Sequence, residues 1–450
     1  MQSTLELAED IVHLTRGPWH LFFRSETLDW ALTNEIGADI ITMIVSHKDQ
    51  GEITLKIATK YGFDYTEVDA KVESFIRSLR EVRIVLPEGR RLSPSAGVPS
   101  GPRPLDLYLH LTTRCNLRCT YCYNQALREE KGRGDLPLKV ALKALREAKE
   151  LGVHTVLLTG GEPLLHPKAL RIAEHPRRMG FRTVLLTNGL LIDKKISKVI
   201  AQTCDQVTVS LDSALPKLHN LHRGRGTHNQ VVAAVGRLKE AGVSEVVVSG
   251  VITRQTQRES DAEFEAFAKR IGADRIVRQI YILQGDVRDT LLTPDFKPIL
   301  QETNDVIEKM VAELTGSEVQ GAIIWRDRYG AAFGVIAVDG DGTIYPCQGL
   351  MKEEFAAGNI TSASLVEVFE SSPILEKVRR FRVTEIPGCE DCAFRHLCGG
   401  GCRALAYNAY GSLGAPIPEP YCAFNKALAE RRLWIAALSN HRRESPKPVN

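Results

Sequence analysis

Three cysteines fall within eight residues in Cys115-Asn-Leu-Arg-Cys119-Thr-Tyr-Cys122, spaced C-x3-C-x2-C, directly after the leucine-rich run 105–111. Three thiolates can hold three irons of a cubane iron–sulfur cluster and leave the fourth iron open. A fully ligated cluster takes four cysteines, and so does an all-cysteine structural zinc site. A site short of one ligand is built to bind something else, which points to an enzyme. A second set of thiols lies far along the chain: Cys389-x2-Cys392-x5-Cys398-x3-Cys402, then Cys422, with Cys347 ahead of them. Their spacing alone suits zinc or iron equally. The tenth cysteine, Cys204, stands alone between a helical and a strand pattern and is expected to be a buried spectator.

The elements that must position these residues begin at 105, where the pattern becomes strand–helix repeats. Strands are expected at 105–112, 154–160, 181–188, 206–212, 245–253 and 275–283, with helices at 137–151, 167–179, 194–202, 228–241 and 260–270. Continuous apolar runs such as Val156-Leu-Leu and Val246-Val-Val suit parallel strands buried on both faces. Six such units suggest a partial parallel barrel; eight would close one. A doubly wound open sheet gives the same periodicity and stays open at this point.

In parallel barrels the chemistry sits in loops after the C-terminal ends of strands. The three-cysteine loop follows strand one. Thr159-Gly160-Gly161-Glu162-Pro163 follows strand two, two glycines that admit a ligand to the backbone and a carboxylate for a cationic group. Thr187-Asn188-Gly189 follows strand three. Strand four ends in Ser210-Leu211-Asp212, a hydroxyl and a carboxylate on one side of the strand, suited to a ribose diol. Each of these alone is commonplace; their arrival at successive strand ends is not.

Residues 1–92 read as a separate unit: short strands at Trp19 to Arg24 and Asp29 to Leu32, three helical runs from about Asn34, 52 and Asp64, and a returning strand at Arg83 to Leu86, a winged-helix-like order. The unit holds 11 basic and 15 acidic residues, a net of −4, the wrong sign for binding phosphate, so a peptide is the better partner than nucleic acid. Residues 93–104, with four prolines, three serines and two glycines, read as a linker. The barrel is expected over 105–290, a bridging helix over 291–329, and a cysteine-rich region with a terminal helix over 330–450.

The chain has 450 residues, 43% hydrophobic and 25% charged, with a formal net charge of +3, so bulk charge selects neither nucleic acid nor an anionic membrane. No apolar run approaches the roughly 20 residues of a membrane span. The N-terminus has acids where a secretory signal has bases. A cytoplasmic protein with metal-ligating rather than disulfide-bonded cysteines is expected.

The C-x3-C-x2-C loop with Tyr121 before its last cysteine, followed by Gly-Gly-Glu-Pro after the second strand, resembles the radical S-adenosylmethionine (SAM) enzymes over about 105–285. The resemblance implies an α/β fold, a TIM-like partial (β/α)6 barrel. It implies a 4Fe-4S cluster on Cys115, Cys119 and Cys122, with SAM chelating the open iron through its amino and carboxylate groups. Gly160, Gly161, Glu162 and Pro163 would contact the methionyl amino group, Ser210 and Asp212 the ribose, and Tyr121 the adenine side. Asn188 and Arg223 are further candidates, Arg223 as a carboxylate partner. Reductive cleavage of SAM would give methionine and a 5′-deoxyadenosyl radical that abstracts a substrate hydrogen. The cofactor carries that chemistry, and the barrel orients it.

The C-terminal run, with Gly342-Thr-Ile-Tyr-Pro-Cys347, is similar to the SPASM extension that carries auxiliary iron–sulfur clusters. By resemblance Cys389, Cys392, Cys398 and Cys422 ligate one complete auxiliary 4Fe-4S cluster, and Cys347 and Cys402 belong to a second. The family places another cysteine shortly before that glycine. Here 326–332 holds none, with Ala331 at the expected position, so the second cluster is either absent or takes other ligands such as Asp327. The N-terminal unit resembles PqqD-like elements that bind leader peptides, on Trp19-His-Leu-Phe-Phe and Trp30-Ala-Leu-Thr-Asn-Glu-Ile-Gly-Ala. Together these imply an oxidoreductase that matures a ribosomally synthesised peptide or protein by crosslink, thioether, epimerisation or oxidation, with flavodoxin or ferredoxin as electron donor. The alternatives are a maturase of a small cofactor or metalloenzyme (haem, pterin or tungsten enzyme), a sulfatase-activating enzyme, and a non-catalytic iron–sulfur sensor with a DNA-binding head. No catalytic base is nominated.

Overall fold

In a computed structural model the chain is described over residues 5–46, 48–87, 102–124, 134–312 and 326–444. Most of the expected linker, 93–101, lies outside the described residues, as does the tail from 445.

The N-terminal unit runs β1 (Leu5–Leu7), β2 (Ile11–Arg16), β3 (Trp19–Arg24), β4 (Trp30–Thr33), α1 (Glu35–Val45), α2 (Gln50–Tyr61), α3 (Tyr65–Glu81) and β5 (Val85–Pro87). Strands β2, β3 and β4 form an antiparallel sheet, and β1 pairs with β5. Asn34, Asp49 and Asp64 each accept backbone N–H bonds at the start of a helix, which is why three helices begin where they do. The strands β1 and β2 were not expected. The run Ile11-Val-His-Leu-Thr-Arg alternates weakly, and its pairing with β3 is what makes it a strand.

Alternation along β3 decides how this unit sits. Phe22 faces the helices, packing with Ile41, Ile53 and Ile76. Leu21 and Phe23 point the other way, onto the C-terminal half of the chain.

The barrel segment follows as β6 (Asp106–Thr112), α4 (Leu138–Glu150), β7 (Thr155–Gly160), α5 (Ala169–Arg178), β8 (Arg182–Thr187), α6 (Lys194–Thr203), β9 (Gln206–Ser210), α7 (Pro216–Arg223), α8 (Thr227–Glu240), β10 (Glu245–Ile252), α9 (Asp261–Arg270) and β11 (Arg275–Ile280). The six strands are parallel and lie side by side in chain order. A doubly wound sheet reverses its strand order partway, so this order removes that alternative. Leu107, Leu109 and Leu111 of β6 face Ala141, Ala144 and Leu145 of α4, which leaves Tyr108 and His110 on the opposite, inner face. The helix α7 was not expected; it starts on Pro216, with the chain's extended residue before it.

After α10 (Arg288–Leu292) and α11 (Phe296–Ala312), the cysteine-rich region contributes β12 (Val335–Val338), β13 (Thr343–Tyr345), β14 (Gly358–Asn359), α12 (Leu365–Ser371), α13 (Pro373–Arg379), α14 (Arg395–Cys398), α15 (Arg403–Tyr410) and α16 (Glu419–Glu444). This region joins the barrel's own sheet. β12 runs parallel beside β6, and β13 and β14 extend from it antiparallel, giving one nine-stranded sheet with β11 and β14 at its ends. The Val335-Ile-Ala-Val run is apolar on both faces, which suits a strand covered on both sides.

The two ends of the chain meet. Leu21 and Phe23 pack against Ile307 and Met310 of α11 and against Leu433 and Trp434 of α16. Arg16 bonds Glu308 at 2.7 Å and Glu430 at 2.8 Å. Glu26 pairs with Arg395, and with His396 at 3.1 Å, in the short helix that ends in Cys398. No helix among the described residues is long and apolar enough to cross a membrane.

Candidate active site

All ten cysteines are unpaired by disulfides. They gather as the sequence grouped them. Cys119 feels the charges of Cys122 and Cys115; Cys389 those of Cys398, Cys422 and Cys392; Cys347 that of Cys402. Cys204 is fully buried among core residues, its sulfur 3.7 Å from the Thr203 hydroxyl. Among the described residues no three His, Cys, Asp or Glu side chains close on a single ion position. A four-iron cube spreads its sulfur ligands wider than one ion does.

The Cys115–Cys122 loop has no regular structure, and it is held by Arg114 just before it and by residues between its sulfurs. Arg114 is clamped by Asp135 through Nη2 at 2.9 and 2.7 Å, and Asp135 also accepts the Thr112 hydroxyl at 2.7 Å. Asn116 Oδ1 accepts from Asn188 Nδ2 at 2.7 Å. Thr120 bonds His222 twice: its N–H donates to the His222 carbonyl at 3.1 Å, and its hydroxyl meets Nδ1 at 2.8 Å. The His222 Nε2 in turn meets the Thr253 hydroxyl at 2.9 Å. Tyr121 donates its hydroxyl to Asp212. Each anchor comes from a different place in the barrel: the turn before α4, the end of β8, the end of α7 and the end of β9. Leu117 donates its N–H to Cys115 Sγ at 3.4 Å, a bond that favours the thiolate.

The glycine turn after β7 serves this loop more directly than a ligand. Gly161 and Glu162 donate their N–H groups to Thr112 and Arg114 carbonyls at 2.7 and 2.8 Å. A Cβ on Gly160 would lie 2.3 Å from the Thr112 oxygen, and one on Gly161 2.2 Å from that of Arg114. The glycines let β7 touch the backbone that leads into Cys115.

Glu162 was expected to offer its carboxylate outward. It is 1% exposed and is spent on β8, accepting the Thr187 hydroxyl at 2.7 Å and the Asn188 N–H at 2.8 Å. Asn188, pinned this way, is the residue that holds Asn116. Burial pushes the Glu162 carboxyl up to about 7 despite these donors.

Asp212 was expected at a ribose. It is fully buried, and both oxygens are taken. Arg223 grips it through Nε at 2.8 Å and Nη2 at 3.0 Å, Val251 donates its N–H at 3.1 Å, and Tyr121 its hydroxyl. A carboxylate has about four acceptor positions, so none is left. Arg223, expected to hold a ligand's carboxylate, thus already has one, and its guanidinium lies 5.4 Å over the Tyr121 ring. Burial drives Asp212 up, and the charge of Arg223 outweighs it and holds the carboxyl below its ordinary value. Ser210, at the end of β9, is half-buried and stays beside the site.

At the C-terminal set the sulfurs are cradled. Gly400 and Gly401 turn their N–H groups to Cys398. Both have φ near +80°, at +82° and +74°, and a Cβ on either would strike Ile386 or Ile417 at 2.6 Å. Buried Arg403 clamps the same turn through the Gly400 carbonyl and, at 3.2 Å, the Gly401 carbonyl, and ties it to the Leu413 and Ala415 carbonyls at 2.9 and 2.8 Å. Asp327, suggested as a substitute ligand, is held by Arg328 at 2.7 Å and Arg382 at 3.6 Å. Ala331 is buried in the same core cluster as Cys347.

The anchors Asn116, Asp135 and His222 are not among the residues the sequence singles out. None carries a spacing signal, because each partner is distant in sequence and near only through the sheet order. The donor set itself, soft thiols gathered in threes and fours under backbone N–H groups, fits iron–sulfur clusters.

Comparison with known proteins agrees. Residues 109–271 match the Radical SAM superfamily, and residues 330–393 match SPASM, an iron–sulfur cluster-binding domain. The mycofactocin maturase MftC of Mycobacterium ulcerans is 27% identical over 358 residues, covering 76% of this chain and 95% of that one. The AdoMet-dependent heme synthase of Methanosarcina barkeri is 27% identical over 343 residues, covering 70% and 95%. Streptococcus suis SuiB, solved bound to its precursor peptide SuiA, has the same fold, with a TM-score of 0.58 at 18% identity over 92% of this chain and 99% of that one. The chain carries a radical SAM domain, whose cofactors are a 4Fe-4S cluster and SAM, and a SPASM domain, which binds auxiliary iron–sulfur clusters.

Two outcomes follow. Asp212→Asn leaves the Arg223 guanidinium buried without its carboxylate, a loss of roughly 3–5 kcal/mol, and releases Tyr121. Iron held by the first site should weaken roughly 10- to 100-fold in chelator competition, with Tyr121→Phe milder. Glu162 binds more protons folded than unfolded between the ordinary 4.5 and about 7. Its contribution to stability is therefore full below that window and lost as pH rises through it. Relative to Glu162→Gln, the wild type should lose roughly 3 kcal/mol, at about 1.4 per unit, in denaturant titrations on either side of the window.

Proposed function

We propose that this radical SAM/SPASM enzyme modifies a ribosomally synthesised peptide or protein that is delivered by the N-terminal unit. The observation that carries this reading is the placement of that unit. Its sheet is docked through Leu21 and Phe23 on α11 and α16, and through Glu26 on the helix that ends in Cys398. The outer edge of β2 pairs with no strand among the described residues. An extended leader segment can add there as a further strand, with main-chain bonds supplying affinity. Tethering the leader raises the effective concentration of the core segment at the barrel. The precursor peptide seen on SuiB and the activity named for MftC support the same substrate class.

In this reading Cys115, Cys119 and Cys122 hold the first cluster. When bound, cluster and SAM supply a 5′-deoxyadenosyl radical by reductive cleavage. The protein's part is positioning. Asp135, Asn188, His222 and Asp212 fix the loop so that the three sulfurs keep their relation while one iron stays open. The backbone of the Gly160–Pro163 turn borders the ligand place, while the Glu162 and Asp212 side chains act from behind, through Asn188 and through Tyr121 and Arg223. Ser210 remains the candidate ribose contact. Cys389, Cys392, Cys398 and Cys422 close an outer cluster for electrons. A flavodoxin or ferredoxin would donate the electron, in the cytoplasm.

The likeness to the heme synthase favours one other reading, maturation of a small cofactor or metalloenzyme. The two separate on binding. Adding a precursor peptide encoded beside the gene to the reconstituted full-length protein should protect backbone amides of 11–16 from hydrogen exchange. No protection there with any such peptide would favour the small-cofactor reading.

A further inference from the structure

The loops that follow β6, β9, β10 and β11 are tied to one another around the Cys115–Cys122 loop. Thr120 bonds His222 at the end of α7, and His222 reaches Thr253 just past β10. Arg254 donates its N–H to the Leu292 carbonyl at 3.0 Å, and Gln255 Nε2 donates to the Leu291 carbonyl at 3.2 Å. Arg288 closes the circuit, donating through Nη1 to the Cys122 carbonyl at 3.2 Å. The three cysteines are only half-buried, and Arg118 between them is exposed.

Neither the core nor the candidate site uses two features of this surface. The first is apolar. Val287 is 81% exposed and Leu291 64%, and Leu215 and Leu221, on the α7 side, are exposed too. The turn that displays Val287 and Leu291 is firmly built. Asp289 accepts the Tyr281 hydroxyl at 2.8 Å and the N–H groups of Gln284 and Gly285 at 2.8 and 2.9 Å. Asn408 donates to the Leu283 carbonyl at 2.7 Å, and a Cβ on Gly285 would lie 2.8 Å from the Asn408 oxygen. Single exposed apolar side chains are ordinary, but several gathered on linked loops mark an interaction site.

The second feature is charge. Arg118, Lys217, Arg225, Arg254 and Arg258 are exposed on these loops, and none pairs with a carboxylate among the described residues. The acids here are already taken. Asp286 is held by Arg288 at 2.6 Å and Asp212 by Arg223 at 2.8 Å. Buried Glu259 accepts the Ala214 N–H at 2.9 Å. What remains is an apolar centre among unpaired positive charges, in a chain whose net charge is only +3.

We propose that this surface docks an acidic one-electron carrier protein, which delivers its electron to the Cys115–Cys119–Cys122 site from here. This rests on the radical SAM reading of that site and on the external electron donor proposed for it.

Reductive cleavage takes one electron per turnover, and the chain must receive it from outside. In the transfer the carrier is oxidised by one electron and the site reduced by one, with no bond made or broken. The carrier must then leave, so its contact has to form quickly and break easily. Electron-transfer encounters of this kind bury less than roughly 1,200 Å². Complementary charge speeds their formation more than it tightens them. Unpaired arginines and lysine select an acidic partner, and half-buried cysteines beside them keep the path for the electron short.

The test uses the full-length protein, reconstituted anaerobically, with flavodoxin and ferredoxin as carriers in separate arms. An oxidised carrier, which drives no turnover, should protect backbone amides of 215–223 and 285–292 from hydrogen exchange, less so as salt is raised. The triple variant Lys217→Glu, Arg225→Glu, Arg258→Glu should weaken that protection. It should also slow 5′-deoxyadenosine formation driven by the reduced carrier roughly 10-fold or more, and leave the dithionite-driven rate unchanged. Val287→Ser with Leu291→Ser should weaken carrier binding while keeping its salt dependence. No protection of these segments by either carrier overturns the proposal. So does a triple variant that keeps its carrier-driven rate, or one that loses the dithionite-driven rate equally. Protection by the precursor peptide and by neither carrier would make the surface the substrate's. No 5′-deoxyadenosine with dithionite from wild-type protein would overturn the radical SAM reading instead, and the exchange footprint would still decide the docking surface.

Discussion

The structure depends on holding a loop without regular structure so that three sulfurs stay together and a fourth position stays vacant. A metal could draw the sulfurs together, but it cannot decide which way the vacant position faces. That is set by the residues between the cysteines, each tied to a different strand or helix end. The Asp212–Arg223–Tyr121 cluster is the strongest tie, since both oxygens of a fully buried carboxylate are used. Such a cluster is costly to break, because removing one member strands a buried charge. It is therefore a specific lock on Tyr121. Glu162 does the same for Asn116 through Asn188 at the end of β8.

The same sheet that carries these ties continues into the cysteine-rich region. β12 pairs with β6 on the side away from β7, so the strand leading into Cys115 has the strands leading toward Cys347 alongside it. Cys347, just past β13, is positioned by this extension of the barrel's sheet. The N-terminal unit reaches that region too, through Glu26 and the apolar face of β3. The N-terminal unit, the Cys115–Cys122 loop and the C-terminal cysteines are thus borne by one packed frame.

Much of this was legible in the chain. The six parallel strands and their helices fall close to the expected spans, because continuous apolar runs and helical periodicity are strong signals. Spacing separated the cysteines near 120 from those at 347 onward, and the division of the second set into four and two came only with the resemblance to the SPASM extension. The partners of Glu162 and Asp212 were not legible. A carboxylate at a strand end looks like a ligand contact, but whether it faces outward is set by neighbours such as Thr187 and Arg223 that only the strand order brings close. Asn116, Asp135 and His222 left no trace for the same reason.

The central claim is radical chemistry at the Cys115–Cys119–Cys122 site, and one measurement bears on it most directly. The full-length protein is reconstituted anaerobically, its first cluster is verified by iron and spectroscopy, and it is given dithionite and SAM. 5′-Deoxyadenosine should accumulate in the wild type and be absent when the three cysteines are changed to alanine. No 5′-deoxyadenosine from protein whose first cluster is loaded would contradict the account.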